Sequence, residues 1–157
     1  MNKLSYDTFY GLFRDATPLK ADCGAVCGGA CCKGDDTVGM LLFPGEPSTL
    51  PVAEADGRRF VLCGGHCERE ARPLACRIFP LFPAVDEAGH VRVIADPRAF
   101  PVCPLARQAE NVRFDPRFVR RVKKAGKLLA KDPACFVFLR ELTDELDEIV
   151  HMNELLK

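Results

Sequence analysis

Apolar residues recur at helical spacing near both ends of the chain, and in short, irregular runs between them. Tyr6, Phe9, Tyr10 and Phe13 follow an i, i+3, i+4, i+7 pattern, which predicts a helix over about 5–15. Ser5 is a candidate N-cap, and Pro18 ends the run. Near the other end, Asp115-Pro116 and Asp132-Pro133 each place a capping residue before a proline suited to the first helical position. The first pair predicts a helix to about 131, with Phe118, Val122, Ala125 and Leu129 on its apolar face. The second predicts a helix to about 156, with Cys135, Leu139, Leu142, Leu146 and Ile149 along one stripe. The tight link at Lys131-Asp132 predicts that the two form an antiparallel pair. A shorter helix is expected over 104–112.

The middle reads differently. Short strands are expected over 38–43, 60–62 and 90–95, the last following a turn at Glu87-Ala88-Gly89. Residues 44–51 hold three prolines and a glycine and read as turns. With 157 residues and eleven phenylalanines, one domain with a real core is expected. Its class is α+β: an irregular, loop-rich core with short strands, then a helical C-terminal part. Within 1–157, the core occupies about 20–107 and the helical part about 115–156.

Charge narrows the partners. There are 22 basic and 22 acidic side chains, so the whole molecule has no bias toward polyanions. The basic stretch from Arg113 to Lys131 interleaves with Phe114 and Phe118, a pattern compatible with nucleic acid. The acidic stretch from Glu141 to Glu154 makes a solvated face beside an opposite neighbour the preferred reading, so no nucleic acid is expected. The N-terminus has no apolar targeting core, and no apolar run approaches the ~20 residues of a membrane helix. A cytoplasmic location without membrane contact is expected.

That location shapes the reading of nine cysteines. In a reducing compartment, clustered thiols bind metal or do redox chemistry more often than they pair, and the odd count suits full pairing badly. Cys23, Cys27, Cys31 and Cys32 lie within ten residues on a stretch containing Gly24, Gly28 and Gly29. Closely spaced thiolates converge on a metal at small entropic cost. Glycines permit the backbone angles and expose amides to the sulfurs. Neighbouring side chains diverge, so adjacent Cys31 and Cys32 suit two metals, or two irons of one cluster, better than one zinc ion. Cys63 and Cys67 have zinc-like spacing. Cys76 and Cys103 complete a set of eight candidate ligands. Arg72 and Arg77 flank Cys76 and are candidates to offset thiolate charge, or plain surface arginines. Cys135 reads as core. His66 reads as a neighbour of the site rather than a ligand, and His90 and His151 have no convincing partners.

These residues carry a resemblance. Cys23, Cys27, Cys31-Cys32, Cys63, Cys67, the Arg72-Pro73…Cys76-Arg77…Phe79-Pro80 segment and Cys103 resemble the bacterial cysteine-cluster (CxxCxxCC) proteins, a zinc- or iron-chelating domain family. The likeness spans about 20–107. It departs in one respect: Cys23 to Cys27 and Cys27 to Cys31 each enclose three residues, not two. The resemblance implies a metal centre with those eight cysteines as candidate ligands, of zinc or iron–sulfur type. Relatives named flagellin lysine N-methylases carry a similar cluster in a longer chain.

Three functions compete. The first is an iron–sulfur protein, with a four-iron (4Fe-4S) cluster a candidate, acting in electron transfer or redox chemistry. The second is a zinc-stabilised structural or partner-binding module, since zinc held by four thiolates has no open position for catalysis. The third is part of a methyl-transfer enzyme. No glycine-rich nucleotide loop or acid–base constellation supports it. The surplus of thiols and the adjacent pair favour the first. A redox or protein partner is compatible with either leading role, and neither fixes an oligomeric state.

Overall fold

A computed structural model describes residues 4–19, 39–62, 69–99 and 114–156. Helix α1 is Tyr6–Leu12. Strands β1 (Gly39–Leu41), β2 (Val52–Ala55) and β3 (Arg58–Leu62) follow, then the one-turn helix α2 (Leu74–Ile78). Strands β4 (Leu81–Val85) and β5 (Val91–Ala95) come next, and helices α3 (Pro116–Leu129) and α4 (Pro133–Leu155) close the chain. The class is α+β with a helical C-terminal part. The expected helix over 104–112 lies outside the described residues.

Two antiparallel sheets result. One runs β1-β3-β2 and the other is the hairpin β4-β5. Strand β2 had no place in the sequence reading. It joins β3 through Asp56-Gly57, where both residues have positive φ, 53° and 75°. That is the backbone of a tight primed turn, and Asp-Gly is its sequence signal. Strand β4 was also missed. All five of its residues are buried, and it contains Pro83.

The helix caps form as their residue types predict. Asp115 accepts from the Arg117 amide at 2.9 Å, and Asp132 from the Cys135 amide at 2.9 Å. Ser5 occupies the N-cap position of α1, but its side chain makes no capping bond. On α3, Phe118, Val122, Ala125 and Leu129 are buried, as expected; on α4, so are Cys135, Leu139, Leu142 and Leu146.

Both C-terminal helices pack on β4. Helix α3 lies on the face that carries Pro83 and Val91, and Gly126 permits the close approach. Helix α4 covers the strand's other edge. The Val85 amide donates to Thr143 Oγ1 at 3.0 Å, and Arg140 donates to the Val85 carbonyl. Phe13 meets Phe118 edge-on at 5.8 Å, and Phe43 meets Phe138 at 5.3 Å, tying both ends of the chain into one core. The acids of α4 do not meet the bases of α3. Among the described residues, Glu141 and Glu145 pair with Arg58, Asp147 with Arg92, and Asp144 with Arg140 on α4 itself. The described part of the chain has no helix long and apolar enough to cross a membrane.

Candidate metal centre

Of the eight candidate ligands, Cys76 is described. Cys23, Cys27, Cys31, Cys32, Cys63, Cys67 and Cys103 lie outside the described residues, as does His66. Among the described residues, no group of three or more His, Cys, Asp or Glu side chains is placed to hold a metal ion. What the structure describes is the scaffold from which the cysteine-bearing segments depart.

That scaffold brings their ends together in three places. Gly39 pairs with Leu62 across β1 and β3. Gly39 follows Cys32 by seven residues, and Leu62 immediately precedes Cys63. The Asp115 amide donates to the Pro18 carbonyl at 2.8 Å, so the chain before the first cysteine run adjoins the chain after Cys103. The Asp96 amide donates to the Pro80 carbonyl at 2.8 Å, so the strand leading toward Cys103 adjoins the segment just past Cys76.

Cys76 is half-buried in the middle of α2. This helix has five residues and no side-chain cap of its own, since Pro73 holds the N-cap position. A helix so short is unstable in isolation and needs tertiary support. Glu46 supplies it from 28 residues away: its Oε1 accepts the Leu74 amide at 2.6 Å. The same oxygen accepts the Tyr10 hydroxyl at 2.9 Å, and Oε2 accepts the Phe43 amide at 3.0 Å. Glu46 is 1% exposed. Burial pushes its carboxyl above the ordinary range, while the two amides, the Tyr10 hydroxyl and nearby Arg77 pull it back.

Arg77 is neither a bystander nor a simple counter-charge. Its guanidinium lies over the Tyr10 ring at 4.4 Å. Its Nε donates to the Arg72 carbonyl at 2.8 Å and its Nη2 to the Glu70 carbonyl at 3.0 Å. It thereby braces the turn that leads into α2. Asp7, Tyr10, Arg14, Glu70 and Arg77 line an open cleft of about 320 Å³ beside this turn.

Cys135 is different in kind. It is 0% exposed in the main core, with its Sγ 3.7 Å from Tyr6 Oη and 3.9 Å from the Pro44 carbonyl. Burial is the largest cause that pushes its thiol up, to about 11. A thiol held neutral in this way is a poor ligand and a poor nucleophile. His90 is exposed, 3.0 Å from Asp86 across the β4–β5 turn, and contacts no cysteine among the described residues.

Sequence reading missed Glu46. It falls in a turn-rich stretch where a glutamate is ordinarily solvated, and no local pattern marks it for burial. Comparison of the chain with protein-family models, with curated proteins and with solved structures finds no match.

Proposed function

We propose that this chain is a metal-binding cysteine-cluster protein carrying an iron–sulfur cluster for electron transfer or redox chemistry. The observation that carries the reading is the pairing of Gly39 with Leu62, residues that in sequence follow Cys32 by seven positions and precede Cys63 by one. The bonds Asp115–Pro18 and Asp96–Pro80 support it, the first joining the chain after Cys103 to that before Cys23, the second the chain before Cys103 to that after Cys76. The donor set fits the group. Thiolates are the usual ligands of such clusters, and eight sulfurs exceed what one zinc ion needs. The resemblance to the cysteine-cluster proteins points the same way.

The ligands in this reading are Cys23, Cys27, Cys31, Cys32, Cys63, Cys67, Cys76 and Cys103, with Cys135 left in the core. A bound cluster would supply one-electron chemistry. The chain braces the turn before Cys76 through Arg77. The test is metal and acid-labile sulfide content, with a visible spectrum, on protein purified without oxygen. Iron with matching sulfide and a brown chromophore supports the proposal. Zinc without sulfide replaces it with a zinc-stapled module. Protein that binds neither metal overturns both.

A further inference from the structure

We propose that Glu46 is a positioning residue of the cysteine centre, fixing through its buried carboxylate the helix that presents Cys76. This rests on the metal-binding reading above. A carboxylate at 1% exposure is costly unless its oxygens are satisfied, and here they accept three hydrogen bonds. The donors have a common property. Tyr10 sits on α1, which leads into the first cysteine run. Phe43 follows β1, by which the chain leaves that run. Leu74 opens α2, two residues before Cys76. The Glu46 carbonyl adds a fourth link, accepting Arg59 Nη1 at 3.0 Å from β3, which leads into Cys63. One residue thus bonds to α1, to the turn after β1, to β3 and to the start of α2, the helix that carries Cys76.

The contact to Leu74 matters most. The first amides of a helix have no partner within it. In a five-residue helix behind a proline, an outside acceptor decides where the turn sits, and with it the direction of the Cys76 side chain. A role in the core alone would make Glu46 matter for stability, but for metal retention only as far as stability falls.

The experiment separates these. Glu46→Gln keeps the size of the side chain but sets an amide NH₂ against a backbone N–H, at either Phe43 or Leu74. Thr143→Val serves as control, because it removes buried hydrogen bonds where α4 meets β4 and none of those made by Glu46. Each protein is purified anaerobically, its thermal midpoint is measured, and its metal is withdrawn by a chelator while release is followed by absorbance. The visible circular dichroism of the loaded protein is recorded as well. The expected result is release about tenfold or more faster in E46Q than in wild type, with an altered visible spectrum, and release close to wild type in T143V. Equal release from E46Q and T143V at equal loss of stability overturns the proposal while leaving the metal reading intact. Wild-type protein without metal overturns both. If E46Q does not fold, Tyr10→Phe removes one donor and keeps the ring beneath Arg77. It must still release metal faster than T143V, or the proposal fails.

Discussion

Replacing Gly126 by alanine puts two effects of opposite sign in competition. Alanine in a helix interior is favoured over glycine by about 0.5–1 kcal/mol. A Cβ at this position, however, would lie 2.6 Å from Pro83 Cβ and 2.9 Å from Val91 Cγ1. Neither neighbour yields easily. Pro83 is a rigid ring in a fully buried strand, and Val91 is 8% exposed and paired with Val85. Overpacking of this kind costs about 1–3 kcal/mol. The clash should win, for a net loss of about 1–2 kcal/mol, or roughly 2–8 °C in Tm. Gly11 provides the contrast. It is exposed in α1, and a Cβ there meets nothing within 4 Å, so Gly11→Ala should raise stability by about 0.5 kcal/mol. Urea unfolding followed by far-ultraviolet circular dichroism compares the two. If G126A matches or exceeds wild type while G11A behaves as stated, the close approach of α3 to the β4–β5 hairpin is wrong.

Further expectations concern the thiols, the covered strand edge and pH. On the proposed metal reading, Cys135→Ala should retain the metal and lose about 1–2 kcal/mol of stability, whereas Cys31→Ala and Cys76→Ala should lose metal and stability together; equal metal loss from all three, measured by elemental analysis, would refute the separation. With its thiol pushed up to about 11, Cys135 should resist iodoacetamide at pH 8 in the folded protein and react only in denaturant, as read by peptide mass spectrometry. Thr143→Val leaves the Val85 amide without its acceptor and should cost about 1–3 kcal/mol in urea unfolding. The bidentate pairing with Arg58 holds the Glu145 carboxyl below its usual range. That stabilisation is present above the ordinary glutamate pKa and is lost as pH falls through the lowered one. Glu145 is half exposed, so the pair is worth under about 1 kcal/mol. Arg58→Met should flatten the acid limb of the pH–stability curve by that amount, and high salt should shrink the difference.

The long helices were legible because their signals are local. Asp115-Pro116 and Asp132-Pro133 specify where α3 and α4 begin, and a repeating stripe specifies which face turns inward. Strand β4 was not legible, because its cues contradict its environment. Leu81–Val85 is a continuous apolar run, and Pro83 within it argues against a paired strand. The structure resolves the conflict. Amides alternate in direction along a strand, and that of Val85 points to Thr143 on α4. The nitrogen of Pro83, two residues earlier, faces the same side, where the ladder to β5 needs no donor. Glu46 was hidden for a similar reason: its partners come from positions 10, 43 and 74, and no window of sequence contains them. The opposition of basic and acidic helices was a fair reading of composition, but Arg58 and Arg92 in the strands took the acids instead. Of the proposed site, the sequence offers candidate ligands and their spacings. The anchors Gly39–Leu62, Asp115–Pro18 and Asp96–Pro80 had to come from tertiary pairing.

The cover over β4 has a consequence during synthesis. The strand is complete at residue 85, but the groups that shield its open edge, Arg140 and Thr143, are made some 55 residues later. Until helix α4 leaves the ribosome, the nascent chain carries a short apolar strand with one side unsatisfied, an arrangement that invites pairing with other chains. Premature termination anywhere between 86 and about 140 should therefore yield products that aggregate or are captured by chaperones. In this protein helix α4 is the step that makes the 132 residues before it safe to release.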